Sequence, residues 1–276
     1  MSSIKEREKQ LFEEWREEIG EEFCINGGLQ FRGDYFLTEA SDGVCYWDRK
    51  EGNEEMLWNE SSKRVLILTK DLNEPGDTWD IRKESCGRKA VQADQKNDPQ
   101  IQYLNNKGFY RKLKRWVYGI FKYTNDIDIP TFDYVKSNPD ELAKFYEQAP
   151  LVRINCKMES GGSTINNNEL LSYIDRDKEF LSRQIKIYQP NVIICCGNQN
   201  SENIILNQLV REIYSDLCIV ENTKGWVYYS KDSNVLVVDS YHPSARIKDK
   251  RLYDEFLTNF YNGVRKVNFV FSPLIK

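Results

Sequence analysis

The sequence contains a single histidine, His242. It has no apolar run approaching the roughly 20 residues that a membrane-spanning helix needs. The opening MSSIKEREKQ carries charges with no apolar segment after them, so it does not read as a signal peptide, and a cytoplasmic location is expected. Seven cysteines are scattered without one CxxC pair, so no metal, iron–sulfur site or other cofactor is expected. Cys195 and Cys196, adjacent in an apolar run, read as buried thiols. There is no internal repeat, no low-complexity segment and no GxSxG elbow.

The 276 residues allow one large domain or two small ones. Hydrophobic residues make up 40% and aromatics 13%, enough to fill a sizeable core. A charged fraction of 30% and a mean hydropathy of -0.66 describe a soluble chain. The net charge of -4 does not advertise nucleic-acid binding. A global sum can hide a local basic face, however. RKESCGRK (Arg82 to Lys89), RKLKRW (Arg111 to Trp116) and RIKDKR (Arg246 to Arg251) are the clusters that could form one; each is also compatible with an ordinary solvated surface.

Periodicity along the chain predicts a helix over Glu6 to Phe23, with Leu11, Phe12, Trp15, Ile19 and Phe23 on one face. Residues 29 to 60 read as irregular structure with short strands. Four apolar runs rich in branched residues read as strands covered on both faces: Val65 to Leu68, Leu151 to Asn155, NVIICCG and VLVVD. Between them lie a long polar loop, helices over Tyr103 to Tyr123 and in SNPDELAKFYEQ, and others near 168 to 188 and 201 to 214. CIVE and WVYYS suggest a hairpin, Leu252 to Val264 a last helix, and VNFVF an added edge strand. Alternating buried strands and helices point to an α/β fold: a three-layer α/β/α sandwich on a central four-stranded, mainly parallel sheet. The expected division is a helical and irregular extension over 1–60 packed on an α/β domain over 61–276.

In such sheets ligands bind beyond the carboxyl ends of the strands. Those ends carry Asp71, Asn155 and His242. A carboxylate, an amide and an imidazole on one rim suit cleavage of an N-glycosidic bond. The carboxylate stabilises the oxocarbenium-like sugar or orients water. A neutral imidazole donates to the developing base anion. A side-chain amide pairs with a base edge through two hydrogen bonds.

The segments VLILTKDLNEPG, LVRIN, NVIICCG and VLVVDSYHPSAR, in that order over roughly residues 60 to 262, resemble the uracil-DNA glycosylase superfamily, as a divergent bacterial-type member. The resemblance implies a DNA glycosylase that flips its target base. It implies Asp71 as the acid, Asn155 as the reader of the pyrimidine edge and His242 as the donor to the base oxygen. Arg246 falls where many members place a leucine wedge. Trp79 is the candidate stacking aromatic. The sequence departs from the family where Gly-Gln before the acid is Thr69-Lys70, and where Pro-Tyr-His after it is Leu72-Asn73-Glu74. Asn73, smaller than the family tyrosine, loosens discrimination at the 5-position of the base. Lys70 would lower the acid's pKa or bind phosphate, and Ser244 and Arg246 are further DNA contacts. The expected partner is DNA, with no membrane and no obligate protein partner. Two other functions fit parts of the pattern. One is a non-catalytic nucleic-acid or nucleotide-binding module on the same fold. The other is a serine hydrolase using Ser240 or Ser244 with His242 and Asp239.

Overall fold

A computed structural model describes residues 2–39, 45–70, 80–83, 88–89, 104–124, 128–160, 165–197 and 203–274. Its centre is a seven-stranded sheet in the order β1-β6-β4-β7-β10-β9-β8. These strands are β1 (Gly27–Leu29), β4 (Val65–Thr69), β6 (Leu151–Asn155), β7 (Val192–Gly197), β8 (Cys218–Ile219), β9 (Val227–Ser230) and β10 (Val235–Tyr241). The four expected strands, β6, β4, β7 and β10, are its parallel centre. The sheet has seven strands rather than four because antiparallel strands extend both sides. β1 pairs with β6, and the β8–β9 hairpin pairs with β10. A second sheet, β2 (Tyr35–Glu39), β3 (Cys45–Arg49) and β5 (Arg88–Lys89), stands apart.

The central strands are buried along their length because both faces are covered. Side chains alternate between faces, so each strand feeds two cores. Val65, Ile67, Val192, Ile194, Leu236 and Val238 belong to one. Helices α3 (Gly108–Lys122) and α7 (Asp249–Lys266) close it, with Trp116 stacked on Phe256 at 4.4 Å between ring centres. Leu66, Leu68, Ile193, Cys195 and Val237 belong to the other. That face is closed by α1 (Ile4–Ile19) and α6 (Asn167–Tyr188), where Trp15 stacks on Phe180 at 5.1 Å. Burying one such aliphatic side chain contributes about 1.5–3 kcal/mol.

Local chemistry sets the helix limits. Ser3 and Glu6 form a reciprocal capping box at the start of α1. Pro139 begins α5 (Pro139–Gln148), which follows α4 (Phe132–Ser137). Gln189 turns left-handed after α6, and Pro190 follows. The first sixty residues hold the expected helix and short strands, with a second helix added. They supply β1, the β2–β3 hairpin, α1 and α2 (Glu54–Glu60). The predicted helix near 201 to 214 contains a π-helical stretch, Leu206–Val210, before its last turn. VNFVF is not a strand. Asn268 takes a left-handed backbone (φ 51°), Phe269 packs against Tyr229, and the carbonyls of Val270 and Ser272 accept from Asn234, Asn191 and Arg64, so the segment crosses the amino ends of the central strands.

Candidate functional site: a polar row at the strand ends

The alternation that fills the α3–α7 core with aliphatics places four polar side chains at its end. Thr69, Asn155, Cys196 and Ser240 share the parity of Ile67, Arg153, Ile194 and Val238. Thr69 lies opposite Asn155, and Ser240 opposite Cys196. Thr69 follows the Leu68–Cys195 pairing. The four therefore form a row across β6, β4, β7 and β10, each at most 2% exposed.

Asn155 is fixed through its oxygen. The Thr69 hydroxyl donates to Asn155 Oδ1, and the Asn155 backbone N–H donates to Asn26 O at 2.7 Å. Asn155 Nδ2 is buried and has no hydrogen-bond partner among the described residues, and the same holds for Ser240 Oγ. An unsatisfied buried polar group costs about 1–3 kcal/mol. A ligand acceptor at this rim would recover that energy.

His242 lies two residues beyond Ser240. Its Nδ1 accepts the Ser244 backbone N–H at 3.2 Å, and its carbonyl accepts from Ala245 N at 2.8 Å. A neutral imidazole that accepts at Nδ1 carries its proton on Nε2. Burial, then the charges of Lys70, Arg153 and Lys112, pushes the ring's pKa down to about 4. At neutral pH His242 is therefore an uncharged Nε2–H donor, as the proposed donor role requires.

One aromatic ring joins the two ends of the row. Phe109, at the start of α3, lies 5.4 Å from the His242 ring with 43° between planes. The Arg153 guanidinium lies 5.4 Å from the same Phe109 ring, and its Nη1 donates to the Tyr110 hydroxyl at 2.9 Å. Lys112 Nζ donates to Ala245 O at 2.6 Å and lies 3.8 Å from Asp249 Oδ1. Lys70 Nζ donates to Asn167 Oδ1 at 3.2 Å, and burial lowers its pKa.

Asn155, His242 and Lys70 thus belong to the described rim. Ser244 and Arg246 are exposed just beyond it. Asp71, Asn73 and Trp79 lie outside the described residues. Asp239 shares the parity of Val237, and its Oδ1 accepts from Asn203 Nδ2 at 2.7 Å. It faces the α1–α6 side, away from His242, so the serine-hydrolase triad does not assemble.

Among the described residues, several cations of the basic clusters pair with acids. Arg82 pairs with Glu8 and Asp80, and Lys83 with Asp48. Arg111, Lys112 and Arg115 surround Asp249, while Lys250 and Arg251 pair with Asp254 and Glu255. Arg246 and Lys248 are exposed next to the rim. Surface clefts among the described residues lie elsewhere, including one of about 380 Å³ beside Glu8 and Arg82, one of about 600 Å³ beside Arg32 and Tyr35, and one of about 310 Å³ beside Arg7 and Arg183.

Among the described residues no group of three or more His, Cys, Asp or Glu side chains could hold a metal ion. No described helix is long and apolar enough to cross a membrane. Cys24, Cys156, Cys195 and Cys196 are buried, and burial pushes the Cys156 thiol up to about 12.

Sequence reasoning missed Phe109 and Arg153, named Ser240 only as a candidate nucleophile, and named Thr69 only as a departure from the family motif. Arg153 had a visible signal, a cation inside the apolar strand LVRIN. Thr69 and Ser240 were legible from parity, each being in step with the inward aliphatics of its strand. Phe109 carried no signal beyond its place on an apolar helix face. The chain matches no family model and no curated protein.

Proposed function

We propose that this protein is a DNA glycosylase-like hydrolase that cleaves the N-glycosidic bond of uracil or a modified pyrimidine in DNA after base flipping. The observation that carries this reading is the pair of donors on one rim: the unpartnered Asn155 Nδ2 and the neutral Nε2–H of His242. Asn155 would donate to a carbonyl oxygen of the base. His242 would donate to the oxygen that gains negative charge as the bond breaks. Asp71 would stabilise the sugar cation or orient water. Asn73 leaves room at the 5-position, and Phe109 or Trp79 would stack on the ring. Lys70 and Ser244 would hold phosphates, and Arg246 would fill the gap left by the flipped base. On this reading the architecture is the α/β/α sandwich of the uracil-DNA glycosylase superfamily, acting in the cytoplasm without metal or redox cofactor.

The test is an incision assay on single strands and duplexes bearing uracil, thymine mismatches or 5-modified pyrimidines, followed by alkali. Product from wild type but not from Asp71→Asn supports the reading. A second reading is a non-catalytic nucleic-acid or nucleotide-binding module. Thr69-Lys70 before the acid favours it, because Thr69 already occupies the oxygen of Asn155. Binding of base-containing ligands with no product from any substrate selects it.

A further inference from the structure

Burial lowers the pKa of four described lysines, Lys63, Lys70, Lys112 and Lys114. Three of them are committed to structure. Lys63 Nζ donates to the carbonyls of Ile120, Phe121 and Tyr123 at the end of α3. Lys114 Nζ donates to Asn105 Oδ1 and Pro139 O. Lys112 Nζ donates to Ala245 O beside Asp249. Lys70 differs. Among the described residues its amine has one partner, the neutral amide oxygen of Asn167 at 3.2 Å, and no acid. Its place is set from two sides. Thr69 O accepts from Cys156 N at 2.9 Å, which pins the backbone at the root of Lys70 beside Asn155. Asn167 opens α6, so the amine lies at the positive end of that helix, where a proton on it is further disfavoured. A half-buried lysine with no acid beside it gives up its proton more easily than in water, and its lone pair is then available for attack on a carbonyl carbon.

Resting on the glycosylase reading for the base, we propose a further activity: Lys70 Nζ attacks C1′ of the abasic deoxyribose and nicks the strand by β-elimination. Asn155 and His242 hold the base on this rim, so the sugar carbon bonded to it stands at the same edge as Lys70. The abasic sugar opens to an aldehyde. The Nζ lone pair forms the C1′–N bond, and the carbonyl oxygen leaves as water, taking one proton from the amine and one from solvent. An iminium remains. A C2′ proton passes to solvent water, the C–H electron pair becomes the C2′=C3′ bond, and the 3′ phosphate leaves with the pair of the C3′–O bond. Water then hydrolyses the iminium and returns the free amine. No oxidant or reductant is consumed.

The experiment uses the full-length protein with single strands and duplexes that carry one preformed abasic site, so it does not depend on base removal. Borohydride, added as a reagent, reduces the imine to a stable amine. The covalent protein–DNA species is read on a denaturing gel and located by peptide mass spectrometry. The expected result is an adduct at Lys70, with nicking before any alkali is added. Lys70→Arg keeps the charge but not the nucleophilic amine, and should lower adduct and nicking by about tenfold or more. Its binding to abasic DNA, read by fluorescence anisotropy, should change by less than about threefold, because a phosphate contact needs only the charge. Lys250→Met, at an exposed pair with Asp254, should leave the adduct unchanged. No adduct from wild type, an adduct on another lysine, or one that survives Lys70→Arg overturns the proposal and leaves Lys70 as a phosphate contact alone. An adduct at Lys70 without release of any base removes only the glycosylase reading. Base release without an adduct removes only this one.

Discussion

The hydroxyl of Thr69 is donated to the amide oxygen of Asn155, its partner in register on the neighbouring parallel strand. This one contact decides which end of the amide is left for a ligand. The oxygen is held within the sheet, and the nitrogen has no described partner. A site residue is thus oriented by a neighbour with no chemistry of its own.

Replacing Thr69 with valine keeps the shape and removes the donor. Thr69→Val should lower unfolding free energy by about 1 kcal/mol, measured by urea denaturation. It should also reduce base affinity about tenfold by letting the amide turn. Thr69→Ser, which keeps the hydroxyl, should restore most of the affinity. Equal affinity in wild type and Thr69→Val would show that the amide is held by something else.

The single histidine makes its own titration easy to follow. His242 has a folded-state pKa of about 4, below the ordinary 6.5, chiefly through burial. Between those values the unfolded chain holds a proton that the folded chain does not. Stability from this group therefore rises with pH across the window and is lost on acidification. The one set of imidazole resonances in the NMR spectrum should stay in its neutral position from pH 8 to about pH 5. A midpoint near 6.5 would contradict the half-buried, cation-flanked setting.

Glu8 contributes with the opposite sign. It lies on the buried face of α1, accepts from the Tyr188 hydroxyl and pairs with Arg82 at 3.3 Å. Burial pushes its carboxyl up to about 7 from 4.5, against the pull of Arg82. Here the folded chain holds the extra proton, so stability from this group is fully present below about 4.5 and falls as pH rises through 7. Glu8→Gln should flatten that part of the stability–pH curve. Because Arg82 keeps its pair with Asp80 and Gln resembles the protonated carboxyl, the substitution should change stability at neutral pH by no more than about 1 kcal/mol. Thermal melts at several pH values provide the check.

Gly197 ends β7 against the Asn203 side chain, which bonds to Cys195 O and Asp239. A β-carbon at 197 would occupy the space of the Asn203 amide. Gly197→Ala should therefore destabilise by about 2 kcal/mol, within the usual range for overpacking. The double variant Gly197→Ala/Asn203→Ala should lose less than the sum of the single variants, and a double-mutant cycle measures the difference.

What could be read from the sequence divides along a physical line. The parallel centre was legible because a strand covered on both faces leaves a continuous apolar run, as in VLIL and VIICC. His242 and Asn155 were legible because each directly follows or ends such a run. The flanking antiparallel strands were not all visible: GGL at β1 is too short and too rich in glycine to carry a pattern. VNFVF had a strand's composition, but a left-handed turn at Asn268 and contacts across the amino ends of the central strands overrode it. Asp71, Asn73 and Trp79 lie outside the described residues.

The placement of β1 has a practical consequence for expression. A fragment starting at residue 61 would lack the strand bonded to β6 and the helix whose Phe12 and Trp15 share a core with Ile154, Leu181 and Ile185. Its newly bared ladder and aromatic bed would recruit other molecules, so such a fragment should be recovered as aggregate. Affinity tags belong on the full-length chain, and crystallisation or binding work should retain the amino-terminal sixty residues.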